Sequence, residues 1–366
     1  MVKGACQESM KQELKPISID KELSRRMSVM SFICACMIVL IHCTPHPNNG
    51  SWQWWFINLL GGDGLCRIAV PWFFLASGFF LGGCLNEEGW YKKAVIKRVF
   101  SLLVPFVIWA IIGLVVSFSM WYGIQCFGYK SQMPNPFSAG VVNAIVTSLG
   151  FNLNKINIGP IWYLRMLFIL VLISPIISKG IKKFKCWLPI ILFIIYGIYD
   201  TVYHFSNFWE YVISIRGIAY FSIGLWLRNV NLNLFKRGGG MWLSIFVGCA
   251  GIVINAYGRY IAMPIIENLF DFVMVIPLMY VVWRTTLLIK LPKWCIENSF
   301  ALYVMHMSFL SFSIVIVSVL GFRASMEISV AISFVRFLMV IGLSLVTASI
   351  IKRYLPNISR LLFGGR

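Results

Sequence analysis

Ten long apolar runs, separated by polar or basic stretches, divide this chain of 366 residues. The hydrocarbon core of a bilayer is about 30 Å thick, so a helix that rises about 1.5 Å per residue needs about 20 residues to cross it. Because the backbone in lipid must satisfy its own hydrogen bonds, a run of this kind forms a helix. The sequence therefore predicts an all-α, polytopic integral membrane protein with ten transmembrane helices, at residues 27–45, 64–82, 99–121, 159–178, 187–203, 211–227, 241–257, 267–286, 299–320 and 328–350.

The composition excludes a soluble or a disordered chain. Hydrophobic residues make up 59% of the sequence and charged residues 12%, whereas charged residues form about 25% of a typical soluble domain. A disordered chain would need low hydrophobicity and high charge. Most of the surface of this protein must therefore face lipid.

The basic residues alternate between the two ends of the predicted helices. If the N-terminus lies inside, the inner segments carry 24 Lys and Arg residues and the outer segments carry four. The positive-inside rule then predicts an N-in, C-in orientation, and the net charge of +19 needs no nucleic-acid partner. We expect a charged tail at 1–26 that is not a signal peptide, a membrane domain at 27–350 and a second tail at 351–366.

The spacing of cysteine, histidine and acidic residues predicts neither a disulfide framework nor a metal site. None of the ten cysteines forms a CxxC pair, and those in the apolar runs are typical of small buried hydrophobes. No metal site is predicted from the His, Asp and Glu residues of these runs. In the polar connection 122–158, an apolar stretch at 137–149 predicts a short surface helix.

Three arginines interrupt the apolar runs at a similar depth in the outer half of the membrane. Arg67, Arg165 and Arg216 each lie near the outer start of a predicted helix. A charge at membrane depth is costly and should face a partner or a wet cavity, although a single arginine is often an interfacial anchor. The acids expected to neutralise them are few (Asp63, Asp200 and Glu210). The group therefore favours an anionic or carbonyl-bearing ligand.

Two histidines and a tryptophan-rich loop are further candidates. His42 ends the first helix about 22 Å from its inner end, in the same layer as the arginines. His306 is predicted in the inner third of the ninth helix, with Tyr303 one turn before it; a structural role is the alternative. Trp54 lies in the outer sequence GSWQWWF, which suits either an interfacial belt or stacking on a sugar.

Six segments resemble the acyltransferase family 3 membrane proteins, in the order in which that family carries them. The first run ends in His42, the second contains Val-Pro-x-Phe-Phe-x-x-Ser-Gly, and the ninth contains Ser-Phe-x-x-Tyr-x-x-His, ending at His306. The similar segments are 30–43, 67–78, 97–109, 159–175, 216–227 and 299–306. Together they extend over most of the chain.

The resemblance implies a membrane acyltransferase that transfers an acyl group, commonly acetyl, from a CoA thioester on the inner side. The implied acceptor is a hydroxyl of a surface polysaccharide, a lipid-linked sugar or a related molecule. It further implies that His42 is the catalytic base, a role that suits a side chain titrating near neutral pH. We expect Arg67 and Arg165 to donate hydrogen bonds to the oxyanion of the tetrahedral intermediate.

The remaining predicted site residues divide between donor and acceptor. CoA phosphates require cations at the inner side, and the predicted donor-binding residues are Lys93, Lys97, Arg98, Tyr303 and His306. The predicted acceptor-binding residues are Trp54, Trp162, Tyr163 and Arg216. Ser31 departs from the family, which often carries arginine eleven positions before the histidine. Arg25, Arg26, Lys97 or Arg98 would replace that arginine, or the donor differs.

These expectations define the partners and the alternatives. Acyl-CoA, with acetyl-CoA expected, is a co-substrate, and no permanently bound cofactor is predicted. The expected partners are the glycan acceptor, membrane lipids and other glycan-synthesis proteins, in the inner membrane of a bacterium. A transporter or flippase for an anionic glycolipid, without covalent chemistry, is the alternative from another class. A non-catalytic subunit of a glycan-synthesis complex is a third.

Overall fold

The computed structural model describes residues 18–45, 47–62, 64–126, 135–150, 159–202, 214–230, 240–319 and 326–365. Within these ranges the regular elements are helices and no strand occurs, which confirms the predicted all-α class for this part of the chain. The α-helices are α1 (Lys21–Cys43), α2 (Trp52–Leu60), α3 (Ala69–Gly82), α4 (Trp90–Arg98), α5 (Val104–Cys126), α6 (Val141–Ser148), α7 (Trp162–Phe184), α8 (Trp187–Val202), α9 (Ile215–Leu227), α10 (Met241–Tyr260), α11 (Pro264–Thr285), α12 (Lys293–Glu297), α13 (Ser299–Val319), α14 (Met326–Tyr354) and α15 (Pro356–Phe363). A 3₁₀ turn precedes each of α3 and α7, and a π-helical turn joins α4 to α5.

Several of these helices suit a membrane. Among the described residues, seven helical segments are long and apolar enough to cross one: Lys21–Cys43, Trp52–Gly82, Trp90–Cys126, Trp162–Phe184, Met241–Tyr260, Pro264–Thr285 and Val330–Tyr354. Three shorter apolar helices lie where the fifth, sixth and ninth crossings are predicted. The class of multi-helix membrane protein is therefore confirmed, whereas the count of ten crossings and the N-in, C-in orientation remain predictions.

Helix α1 occupies a central position. It begins at the N-cap Asp20, whose carboxylate accepts a hydrogen bond from the Leu23 amide at 2.7 Å. It packs against α3, α13 and α14, and its buried residues, such as Met30 and Cys34, lie in the core. His42 lies in the last turn of this helix. The candidate base is thus held by one of the most enclosed helices of the described structure.

Helices α3 and α9 approach so closely that only glycine fits between them. A Cβ atom on Gly78 would lie 2.1 Å from the carbonyl oxygen of Phe221, and one on Gly224 would lie 2.0 Å from that of Leu75. Small residues in this arrangement let helix backbones pack without an intervening side chain, as in other membrane helix pairs. The contact fixes the inner end of α9 beside the end of α3, at Gly82.

Helix α10 shows the inverted pattern expected of a lipid-facing helix. Its exposed stripe contains Trp242, Phe246, Val253 and Tyr257, with Trp242 84% exposed. The opposite stripe, with Gly251, Asn255 and Ala256, is buried against α11. In water this surface would be an aggregation hazard, whereas lipid is the solvent that suits it.

Residues predicted on the same side of the membrane contact one another. At the predicted inner side, Arg25 donates to the carbonyl of Ile289 and Lys352 to that of Glu297. At the predicted outer side, the amide of Asn49 donates to the carbonyl of Tyr260. The surface helix predicted at 137–149 is confirmed as α6, where Val142 is exposed.

Candidate active site

The rings of His42 and His306 face each other. Their centroids are 5.3 Å apart and their planes meet at 31°. His42 is exposed at the end of α1, while His306 is 1% exposed within α13. The last turn of α1, which holds His42, lies beside the turn of α13 that holds His306, because the two helices pack together.

A backbone contact sets the hydrogen-bonding state of His306. Its Nδ1 atom lies 2.5 Å from the carbonyl oxygen of Tyr303, one turn earlier in α13. A carbonyl only accepts, so Nδ1 carries the hydrogen and donates it, and in the neutral ring Nε2 is then an acceptor. Among the described residues this buried Nε2 has no hydrogen-bond partner. An acceptor therefore remains open beside His42.

His306 lies beside His42, although the sequence predicts different depths for the two residues. The sequence places it in the inner third of its helix, whereas its ring lies against His42 at the outer end of α1. The connection between α11 and α13 runs along α1, because α12 packs on α1 and Cys295 shares a buried cluster with Phe32 and Ala35. Helix α13 therefore begins beside the middle of α1, and a count of residues from its start does not predict that His306 reaches the end of α1 that holds His42.

An aromatic column continues inward from the two histidines. The Tyr303 ring lies 6.1 Å from the His306 ring and 5.9 Å from the Tyr163 ring. The hydroxyl of Tyr163 lies 3.4 Å from that of Ser77, and its ring packs on Phe73. The structure thus brings together Tyr163, predicted for the acceptor, with Tyr303, predicted for the donor.

A cavity of about 380 Å³ opens at the predicted outer side, next to the end of α1. Ile41 and Thr44, which flank His42 in sequence, form part of its wall. Three arginines and two tryptophans line it as well: Arg67, Arg216, Arg259, Trp54 and Trp162. Four predicted site residues, Arg67, Arg216, Trp54 and Trp162, therefore share one cavity.

Two acids that the sequence analysis did not single out pair with the cavity arginines. The Nε atom of Arg67 lies 2.6 Å and 2.8 Å from the two carboxylate oxygens of Asp271. Arg259 pairs with Glu267 and donates to the side-chain oxygen of Asn58 at 3.1 Å. An acid inside an apolar run is a detectable signal, and Asp271 within 267–286 carried it.

The pairing expected between the arginines and three other acids falls outside the described structure. Asp63 and Glu210 lie outside the described residues, as does the side chain of Asp200.

Arg165 does not lie where the sequence analysis expects it. It does not line the cavity, and its Nη1 donates to the carbonyl of Gly150 at 2.7 Å. Of the two predicted oxyanion donors, only Arg67 reaches the cavity.

The predicted donor cations lie on α4. Lys93 and Lys97 are exposed there, whereas Arg98 is partly buried and interacts electrostatically with Tyr163 and Cys84. Arg98 thus lies near Tyr163, at one end of the aromatic column.

Arg26, one of the residues proposed to replace the missing family arginine, has structural partners, as does Ser31. Arg26 stacks on Trp283, with 4.2 Å from its Cζ to the ring centroid, and donates to that residue's carbonyl at 2.9 Å. Ser31 donates to the carbonyl of Met27 and accepts from the indole N–H of Trp72 at 3.2 Å. The Ser31 position therefore anchors a tryptophan. Within the described ranges, no three His, Cys, Asp or Glu side chains converge as metal ligands would.

Comparison with known proteins connects this geometry to a family. The acyltransferase family 3, described as "Acyltransferase domain", matches residues 26–353. The succinoglycan biosynthesis protein ExoH of Rhizobium meliloti (strain 1021) is 23% identical over 258 residues, which cover 67% of this chain and 65% of that relative. No solved structure matches the chain. Because the family match includes both histidines and all the helices between them, the chain belongs to the acyltransferase family 3.

Proposed function

We propose that this protein is an O-acyltransferase of a bacterial inner membrane. It transfers an acyl group, acetyl, from a cytosolic CoA thioester to a hydroxyl of a surface polysaccharide or of a lipid-linked sugar. The observation that carries the proposal is the pair formed by His42 and buried His306 beside the arginine-lined cavity, in a chain of an acyltransferase family. The similar protein from Rhizobium meliloti is named for succinoglycan biosynthesis, which supports a polysaccharide acceptor.

His42 is the proposed base and His306 its positioning residue. Nε2 of His306 is an open acceptor beside the His42 ring, and in the proposed active state an N–H of His42 donates to it, directly or through a water. That hydrogen bond would fix one nitrogen of His42 as a donor and leave the other as a free acceptor toward the substrate. This is the arrangement in which a third group orients a catalytic base.

The reaction then balances in two steps. In the first step, His42 takes the proton of the acceptor hydroxyl, and the oxygen of that hydroxyl forms a bond to the carbonyl carbon of the thioester. The carbonyl oxygen thereby becomes an oxyanion. The guanidinium of Arg67 is the proposed oxyanion donor. In the second step, the intermediate collapses and the C–S bond breaks. The sulfur of CoA takes the proton that His42 holds, and CoA leaves as the thiol. The products are the acylated hydroxyl and free CoA.

The acceptor is proposed to bind in the outer cavity. A volume of about 380 Å³ lies within the usual range of ligand sites, roughly 300–1,000 Å³. Trp54 and Trp162 offer flat faces for a sugar ring, and Arg216 and Arg259 offer hydrogen-bond donors. A saccharide unit presented from outside would thereby bring a hydroxyl to the end of α1.

The donor must reach His42 from the inner side. The column of Tyr163, Tyr303 and His306 connects Arg98 with His42, and we propose that the pantetheine arm lies along it. Aromatic side chains suit an uncharged arm, and the cations of α4 suit its phosphates.

The test uses the purified full-length protein in proteoliposomes with acetyl-CoA inside and an oligosaccharide acceptor outside. We expect release of CoA thiol together with an acetylated acceptor, detected by mass spectrometry. Boiled protein and liposomes without acceptor serve as controls. Movement of a labelled glycolipid across the bilayer without thiol release would instead favour the transporter.

A further inference from the structure

Arg228 is a buried cation without a hydrogen-bonding partner in the described structure. It follows directly after α9, at the predicted inner side, and is 9% exposed. Its Nε and Nη1 atoms are buried, and no described residue accepts a hydrogen bond from either. Burying a charge unpaired is expensive, so arginines in such places are normally paired.

The end of α3 is shaped around this side chain. A Cβ atom on Gly82 would lie 2.8 Å from the Cβ of Arg228, and one on Gly83 would lie 2.9 Å from its Nη2. The guanidinium carbon lies 5.1 Å from the centroid of the Phe79 ring. This cation–π contact contributes attraction, yet it accepts no hydrogen bond in the plane of the guanidinium. The glycines therefore leave room for a charged side chain whose N–H groups remain unused.

Other cations lie close to Arg228. Lys97, Arg98 and Arg228 all interact electrostatically with the thiol of Cys84. Burial raises the pKa of that thiol, so it stays neutral and does not balance them. Glu87 is the one carboxylate that acts on the same thiol. Three cations against one acid leave this part of the inner side positively charged.

We propose that Arg228, with Arg98, binds a phosphate group of the acyl donor at the inner ends of α3 and α9. Phosphate oxygens accept charge-assisted hydrogen bonds from guanidinium groups, the interaction that the unused N–H groups of Arg228 lack. From the sequence, Arg228 is distinguished only as one of the 24 basic residues of the predicted inner segments. The inference rests on the proposed function, because a CoA thioester is the ligand that places phosphates on this side.

The proposal has a signature in stability that a structural role does not share. Without a ligand, a buried unpaired charge destabilises the fold, and an apolar residue of similar length relieves that cost. Arg228→Met should therefore raise the melting temperature of the ligand-free protein. If Arg228 only stabilised the packing of α3 through its contact with Phe79, the same substitution would lower the melting temperature.

The experiment measures melting temperature and ligand binding with the purified full-length protein in detergent. Free CoA is the probe, and pantetheine, which lacks the phosphates, is its matched control. We expect CoA to raise the melting temperature of the wild type, to have no effect on Arg228→Met and to have a partial effect on Arg228→Lys. The donor KM of Arg228→Met should rise by about tenfold or more. Arg353→Met, which removes an exposed arginine at the same predicted side, should behave as the wild type.

The outcomes separate the inference from the function on which it rests. Transfer from acetyl-CoA with unchanged CoA binding and donor KM in Arg228→Met overturns the inference and leaves the proposed function. CoA binding that depends on Arg228, in a protein that transfers no acyl group, supports the anion site and overturns the function. If Arg228→Met fails to fold, Arg228→Lys decides: wild-type CoA affinity in that variant overturns a site that depends on the guanidinium.

Discussion

His42 and His306 have different surroundings, and these suit them for different tasks. The exposed ring of His42 can meet a substrate, whereas His306 is enclosed and its Nδ1 is committed to the carbonyl of Tyr303. A base must exchange protons with a reactant, and an orienting group must not. These surroundings suit His42 for the proposed role of base and His306 for the proposed role of positioning residue.

The substitution His42→Gln keeps a polar side chain that cannot take up a proton. We expect normal abundance in the membrane and a loss of acyl transfer by roughly 10²–10⁴-fold, the contribution typical of general base catalysis. Initial rates of acetyl transfer by purified protein provide the measurement. His46→Gln, four positions further along the sequence, is the control and should retain activity. Full activity of His42→Gln would rule out its role as the base.

Two substitutions of His306 test its positioning role. Gln places a side-chain oxygen near the position of Nε2 and so retains an acceptor for His42, whereas the shorter Asn does not reach it. We expect kcat to fall further in His306→Asn than in His306→Gln, by about 2- to 10-fold, the value of one hydrogen bond. Donor KM should change little in either variant.

The split between kcat and donor KM separates this role from the donor-binding role predicted from the sequence. If His306 contacts the donor, both variants should mainly raise donor KM. Equal kcat values in the Gln and Asn variants, in protein of equal thermal stability, would argue against a hydrogen bond between His306 and His42.

At the level of helices, the contact between α3 and α9 sets the geometry of both ends of the site. Arg67 precedes α3 and Arg216 lies in α9 at the outer cavity, while Gly82 and Arg228 meet at the other end. One helix pair therefore positions the residues proposed for the acceptor and for the donor phosphate. The absence of side chains between the two backbones keeps that spacing fixed.

The change Gly78→Ala tests this contact. Its Cβ would lie 2.1 Å from the Phe221 carbonyl, so the helices must separate, and overpacking of this kind typically costs about 1–3 kcal/mol. We expect a lower melting temperature and reduced acyl transfer. Gly113→Ala is the matched control, because no atom lies within 4 Å of the added Cβ. A loss of stability in Gly113→Ala equal to that in Gly78→Ala would contradict the packing argument.

Over the whole molecule, the charge distribution predicts which surfaces face the cytosol. The 24-to-4 split of Lys and Arg favours the N-in orientation because basic loops are retained on the cytosolic side. In a cysteine-depleted background, a cysteine at Asn135 or Ala262 should react with a membrane-impermeant reagent added to intact cells. A cysteine at Lys183 should react only after permeabilisation. The reverse pattern at these positions would overturn the orientation.

The sequence by itself determined the helical membrane class and singled out four residues that line the outer cavity. Apolar runs of crossing length suffice for the former, because lipid leaves the backbone few choices. Arg67, Arg216, Trp54 and Trp162 were recognisable as polar or aromatic residues at one depth, and they share the outer cavity. The depth of such a residue follows from its distance along the helix and the rise per residue, provided that the helix begins at the membrane surface.

Only the tertiary structure decided which residues meet. His306 reached His42 because α12 runs along α1, a path that a linear count of residues does not contain. Asp271 pairs with Arg67 across 204 positions, and Arg228 is buried without a hydrogen-bonding partner in the described structure because Gly82 and Gly83 let it lie against α3. Periodicity and hydropathy indicate whether each face of a segment suits lipid, water or the protein interior. Contacts between residues of distant segments depend on how the helices pack.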